Sequence, residues 1–202
     1  MNEINNSNVC ILEEAKKQVN ILRDKINVKK IQDLVTNFNM QKETGCVSSE
    51  EHKFTSLKGA PGIYVFYISF KDEQEFENFK KEWAHFKDNN DKRNNNIPNI
   101  NKTNMECLKL FDDSKKNKCV MYLGKAEKSI GSRLKQHIIK CTESTYALKL
   151  YDFPHLKNYD ISYDYYFFNK KLDLDELTIK ILLTVFEKKL HNQMKPIIGT
   201  RR

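Results

Sequence analysis

The sequence predicts an α+β protein in which helices flank a small sheet, and three observations carry that expectation. Runs rich in β-branched and aromatic residues at 63–70, 119–123 and 159–168 read as strands. Around them, apolar residues recur at steps of three and four, the period of an amphipathic helix. The chain has 202 residues, enough to bury one core with decorations on it.

Taken in order, Leu12, Ala15, Val19, Leu22 and Ile26 lay one apolar seam along a first helix, and Ile31, Leu34, Val35 and Phe38 predict a second. Residues 1–57 therefore read as an N-terminal helical arm that packs onto its parent domain, with dimerisation as the alternative. Residues 41–57 are polar and end at the turn cluster Gly59-Ala60-Pro61-Gly62. The strand from Ile63 to Phe70 is apolar on both faces, which places it centrally in a sheet.

Lys71 to Asn117 reads as an insertion, at about residues 71–117 of a domain spanning 58–202. Phe76, Phe79, Trp83 and Phe86 mark a helix face within it, and the asparagine-rich stretch Asp88 to Asn104 reads as a disordered polar tip. Cys119 to Leu123 forms the second strand. Ser129 then caps a helix that turns Ile130, Leu134 and Ile138 inward, and places Arg133 and His137 together on a neighbouring, less buried face. Tyr159 to Phe168 is the third strand. Asp173 or Asp175 caps a long helix through Leu177, Ile181, Leu182, Val185, Phe186 and Leu190, apolar nearly all round until Glu187. Pro196 and Gly199 stop it.

Lys and Arg number 35 against 27 Asp and Glu, a net charge of +8 that suits a polyanionic partner and suits ordinary solubility equally well. The five cysteines show no Cys-x-x-Cys spacing, which argues against a zinc knuckle. Their odd number, without a secretory leader, argues for reduced thiols in the cytoplasm. No stretch approaches the ~20 apolar residues that span a bilayer, so a soluble cytoplasmic protein without a membrane partner is expected.

Gly62-Ile63-Tyr64 opens one strand and Tyr122-Leu123-Gly124 ends the next, followed by Arg133-x-x-x-His137 on a helix and Glu187 late on another. In that order these residues resemble the GIY-YIG nuclease family, over roughly residues 59–199 apart from the insertion. The resemblance implies a core of three antiparallel strands flanked by helices and a metal-dependent endonuclease acting on double-stranded DNA. Arg133-x-x-x-His137 is similar to the restriction and homing branch, which implies a site-specific enzyme.

The resemblance places Tyr64 beside the scissile phosphate, to orient or deprotonate the attacking water, with Tyr122 next to it. Arg133 offers a charged planar fork to phosphate oxygens, and His137 would pass a proton or bind the phosphate. Glu187 is the implied sole protein ligand of Mg2+ or Mn2+, the rest of the shell being water and substrate. His191, four residues on, reads as exposed. Lys125, Lys128 and Lys135, with Lys140 and Lys149, would meet backbone phosphates.

Each of these residues also has an ordinary account, as a packed strand tyrosine or a solvated helix charge. One departure stands out: many relatives close this region with Pro-x-x-Asn, where this chain has Pro196-Ile197-Ile198-Gly199. Asn192, Gln193 and Thr200 are candidates to replace the amide. A non-cleaving nucleic-acid-binding module and an interaction protein built on the arm are the alternative functions. Cutting both strands of a duplex from one catalytic set calls for a homodimer or two visits.

Overall fold

The computed structural model describes residues 17, 31–48, 54, 57, 59–88, 96–101, 117–139, 142–168 and 175–199. Apart from Lys17, the expected helix over Leu12 to Ile26 lies outside these residues, as do most of the insertion tip, Lys140 and Thr200. The fold is α+β, with four strands and four helices among the described residues. The order is α1 (Gln32–Phe38), β1 (Met40–Cys46), β2 (Gly62–Phe70), α2 (Glu73–Asp88), β3 (Asn117–Ala126), α3 (Ile130–Ile138), β4 (Asp160–Phe168) and α4 (Glu176–Met194).

The strands form one antiparallel sheet in the order β1-β4-β2-β3. Four strands replace the expected three, because β1 arises from the polar stretch within the expected N-terminal helical arm. Its burial follows no alternation, with only Met40 buried among seven residues, since it is an edge strand with both faces near water. Pairing to β4 holds it instead. Lys42 bridges Asp164 at 3.1 Å, Glu43 accepts a bond from the Tyr165 hydroxyl, and Gly45 makes room for the Tyr163 ring.

The central position of β2 is as expected: Ile63 and Val65 are buried on one face and Tyr64, Phe66 and Ile68 on the other. Helices cover both faces. On the Tyr64 face, α2 and α3 contribute Phe76, Phe79, Trp83, Phe86, Ile130, Leu134 and Ile138 to one apolar cluster. On the Ile63 face, α1 and α4 contribute Leu34, Phe38, Leu182, Leu183, Phe186 and Leu190 to another.

The helix at the start of the insertion therefore belongs to the core, and four of its aromatic side chains are buried. The tip is also more ordered than its composition predicts at residues 96–101. Ile97 is buried, Ile100 bridges to Ile198, and the Trp83 indole N–H donates to the Pro98 carbonyl at 3.0 Å.

Local signals account for the helix ends. Ser129 accepts from the Ser132 backbone N–H, and Asp175 caps α4 by accepting from that of Thr178. Cys119 is buried and disulfide-bonded, which departs from the expectation of reduced thiols throughout. No described helix is long and apolar enough to cross a membrane.

Candidate active site

A cleft of about 430 Å³ opens where β3, an edge strand, meets both helical layers. Tyr64, Tyr122, Arg133 and Tyr146 line it from the α3 side, and Thr184, Glu187, Lys188 and His191 from α4. Packing of α4 chiefly against β3 brings those four residues to the sheet margin.

The glycines of the two tripeptides have steric reasons. A Cβ on Gly124 would run into the Tyr64 hydroxyl, because Tyr64 pairs with Gly124 and lays its ring over it. A Cβ on Gly62 would strike the Tyr166 carbonyl oxygen, and would also lie 2.9 Å from the Ile130 Cδ1 above. Small residues thus let the phenol lie flat and let α3 settle onto the sheet. Between Phe66 and Tyr67 the β2–β3 register shifts, leaving Met121 as the extra residue of a bulge. Beyond that bulge Tyr122 faces the same way as Tyr64, and the two rings stack with centroids 6.3 Å apart.

Two donors converge on the Tyr64 hydroxyl oxygen. Arg133 Nε–H donates to it at 3.2 Å, and His137 Nε2 lies 2.9 Å away. The His137 tautomer follows from its other nitrogen. The Leu148 backbone N–H donates to Nδ1 at 3.0 Å, so in the neutral ring the proton sits on Nε2 and points at Tyr64. Burial, reinforced by the Arg133 charge, holds His137 well below its ordinary pKa, and the ring is neutral.

His137 is fully buried, which corrects the expectation of a partly exposed face. The physical reason is that the Tyr64, Phe66 and Tyr122 rings pack around the imidazole, while the segment after α3 brings the Leu148 N–H to its Nδ1. With both nitrogens engaged inside the protein, His137 positions Tyr64 and does not reach into the cleft.

Arg133 is half-buried and spans the site: Nη1 donates to Gln136 Oε1 at 2.8 Å and Nη2 to the Tyr146 carbonyl at 2.6 Å. A guanidinium carries five donors, so these bonds leave capacity for an acceptor entering the cleft. Burial raises the pKa of Tyr64 above that of a free phenol, and Glu187 adds to the rise while Arg133 opposes it. Tyr122 is raised further, again chiefly by burial. Both are neutral phenols at physiological pH.

On the opposite wall Glu187 is half-buried and lines the cleft. Among the described residues, no three His, Cys, Asp or Glu side chains gather to hold a metal. An ion at Glu187 would draw most of its ligands from water and substrate oxygen, which suits Mg2+ or Mn2+ and not a closed zinc site. His191 is half-buried, and its Nε2 donates to the Leu123 carbonyl on the open edge of β3 at 3.1 Å. That bond, rather than exposure, defines its place.

Of the predicted lysines among the described residues, only Lys125 lines the cleft. Its ammonium is held by the Thr184 hydroxyl at 2.6 Å and by Glu127 at 3.0 Å. Lys128 and Lys135 are exposed outside it. Lys149 is buried and donates to the Glu143 carbonyl, so it ties a loop together.

Gly199 stands where the family resemblance implies an amide side chain. Its φ of +91° favours glycine, and a Cβ there would lie 3.1 Å from the Tyr122 ring. Asn192 and Gln193 are exposed and do not line the cleft. Sequence reasoning missed Tyr146, Thr184, Glu127 and Lys188. For the two on α4 a signal existed, since Thr184, Glu187, Lys188 and His191 are linked by steps of three and four and so share one helix face. Tyr146 sits in a loop without periodicity and offered none. No family model, no curated protein and no solved structure matches the chain.

Proposed function

We propose that the protein is a divalent-metal-dependent endonuclease of the GIY-YIG type, hydrolysing phosphodiester bonds of double-stranded DNA, with Mg2+ or Mn2+ at Glu187. The observation that carries this reading is the convergence of Arg133 Nε–H and His137 Nε2–H on the Tyr64 hydroxyl, inside a cleft whose other wall presents Glu187. Two donors on one phenol oxygen stabilise its phenolate and fix its orientation, as a group handling a nucleophilic water requires.

In this reading Tyr64 orients the attacking water, and in its phenolate form takes the water's proton. Tyr122 holds the water or a phosphate oxygen, and Arg133 offers its remaining donors to the phosphoryl oxygens as charge builds there. The water oxygen bonds to phosphorus as the ester P–O bond breaks. A bound cation would supply electrophilic assistance to the phosphate and the leaving oxygen. Lys125 would neutralise backbone phosphate, while Lys128 and Lys135 would meet more distant parts of the duplex. Recognition of a specific site, action in the cytoplasm and a homodimer that cuts both strands belong to the same proposal.

Single-turnover cleavage of plasmid DNA with Mg2+ tests it. Tyr64→Phe keeps the packed ring and deletes only the hydroxyl, and Glu187→Gln keeps the size and deletes the charge. Both are expected to fold and bind DNA while cleavage falls by about two or more orders of magnitude. Near wild-type cleavage by either variant would show that residue to be structural. A wild-type protein that binds DNA with Mg2+ or Mn2+ and never cuts would instead favour the non-cleaving module, to which the absent side chain at Gly199 already points.

A further inference from the structure

We propose that residues 96–101, near the middle of the long insertion, form a positioning strap for the cleft, with Trp83 as its anchor. The strap touches both supports of the site. On one side, the Ala147 backbone N–H donates to the Asn96 carbonyl at 3.2 Å, and the Asn96 side-chain amide donates to the Glu143 carbonyl at 3.0 Å. These bonds bracket Tyr146, whose own carbonyl receives the Arg133 guanidinium at 2.6 Å. Leu148, whose N–H fixes the His137 tautomer, follows directly.

On the other side, the Gly199 N–H donates to the Asn99 carbonyl at 2.8 Å, and the Asn101 N–H to the Ile197 carbonyl at 2.8 Å. Those bonds hold the tail that bears on Tyr122. From beneath, Trp83 is wholly buried and donates its indole N–H to the Pro98 carbonyl.

One short segment therefore sets the distance between the loop that aims Arg133 and His137 and the tail that limits Tyr122. It does so without lining the cleft itself. Catalytic groups lose much of their effect when displaced by about 1 Å, so a segment that fixes two walls governs turnover more than affinity. The exchange measurement below stands without the nuclease reading, and only the kinetic measurement rests on it.

Asn96→Ala removes one exposed bond and leaves the core untouched, Trp83→Phe removes the anchor's donor, and Gln74→Ala is a control on the same insertion away from the strap. In hydrogen exchange, where protection falls as local opening becomes easier, the Ala147 amide should exchange about tenfold or more faster in Asn96→Ala, and those of Ala147 and Gly199 both faster in Trp83→Phe. The amide of Val65 in the central strand should not change in Asn96→Ala or in the control.

In single-turnover cleavage, Asn96→Ala should lower the rate at saturating DNA severalfold while Kd for DNA stays as in wild type. Unchanged exchange at Ala147 and Gly199 in both variants would overturn the strap, and so would a loss expressed wholly in Kd. If wild-type protein does not cut DNA, the nuclease reading fails alone, and the exchange rates still decide the strap.

Discussion

The His137 imidazole has one nitrogen accepting from a backbone N–H and the other turned to a phenol, and it lies out of reach of water. Such a ring resists protonation in the folded state, while in the unfolded chain it takes up a proton below its ordinary pKa of 6.5. The stability this group contributes is present above that value and is lost as pH falls toward the depressed folded pKa. The slope from one such group approaches about 1.4 kcal/mol per pH unit. Thermal melts between about pH 7 and 5 should show it, and His137→Asn should be less stable near neutral pH while losing that part of the acid slope, so that the gap narrows as pH falls. Parallel profiles for the two proteins would mean that the imidazole titrates freely. At this scale the sequence was informative about which residues gather and weak about their environment. Tyr64, Tyr122, Arg133 and Glu187 do share one cleft. The seclusion of His137 was not legible, because it depends on rings from β2 and β3 and on Leu148, eleven residues on in a loop whose path no periodicity encodes.

Among the elements, α2 is the clearest case of a segment whose sequence position misleads. It interrupts the β2–β3 connection, yet Phe79 packs against Phe70, Trp83, Phe153 and Tyr159 in the main cluster under the sheet. Its helical face was legible from Phe76, Phe79, Trp83 and Phe86, while its membership of the core was not, since the partners come from β2 and from the segment before β4. Phe79→Ala should therefore cost about 3–5 kcal/mol, as for a central core position. Chemical denaturation decides: a loss under about 1 kcal/mol would make the helix an appendage. Strand β1 shows the opposite failure. An edge strand exposed on both faces needs no apolar alternation, and Gln41 to Thr44 carry none, so only its pairing with β4 reveals it.

Across the whole molecule, the net charge of +8 and the cleft at the margin of β3 lead to two expectations for nucleic-acid binding. Affinity for DNA should fall steeply as salt rises, because neutralised phosphates release counterions. A flat affinity between about 50 and 200 mM salt would remove the backbone-contact model. If both strands are cut in one encounter, sedimentation on DNA should find two copies of the chain, and a lone copy doing so would sink the dimer.

A different consequence comes from the tail after α4. Its Ile197 and Ile198 N–H groups pair with the Val120 and Met121 carbonyls, occupying part of the outer rim of β3. Uncovered rims of this kind recruit strands from other molecules. Truncation after Met194 bares that rim together with the core surface that the buried Ile197 and Ile198 cover, so the shortened chain should self-associate as concentration rises. Light scattering on the truncated chain measures this directly, and a monodisperse profile would refute it. The short tail that brings Gly199 to the cleft would thus also guard the sheet margin against aggregation.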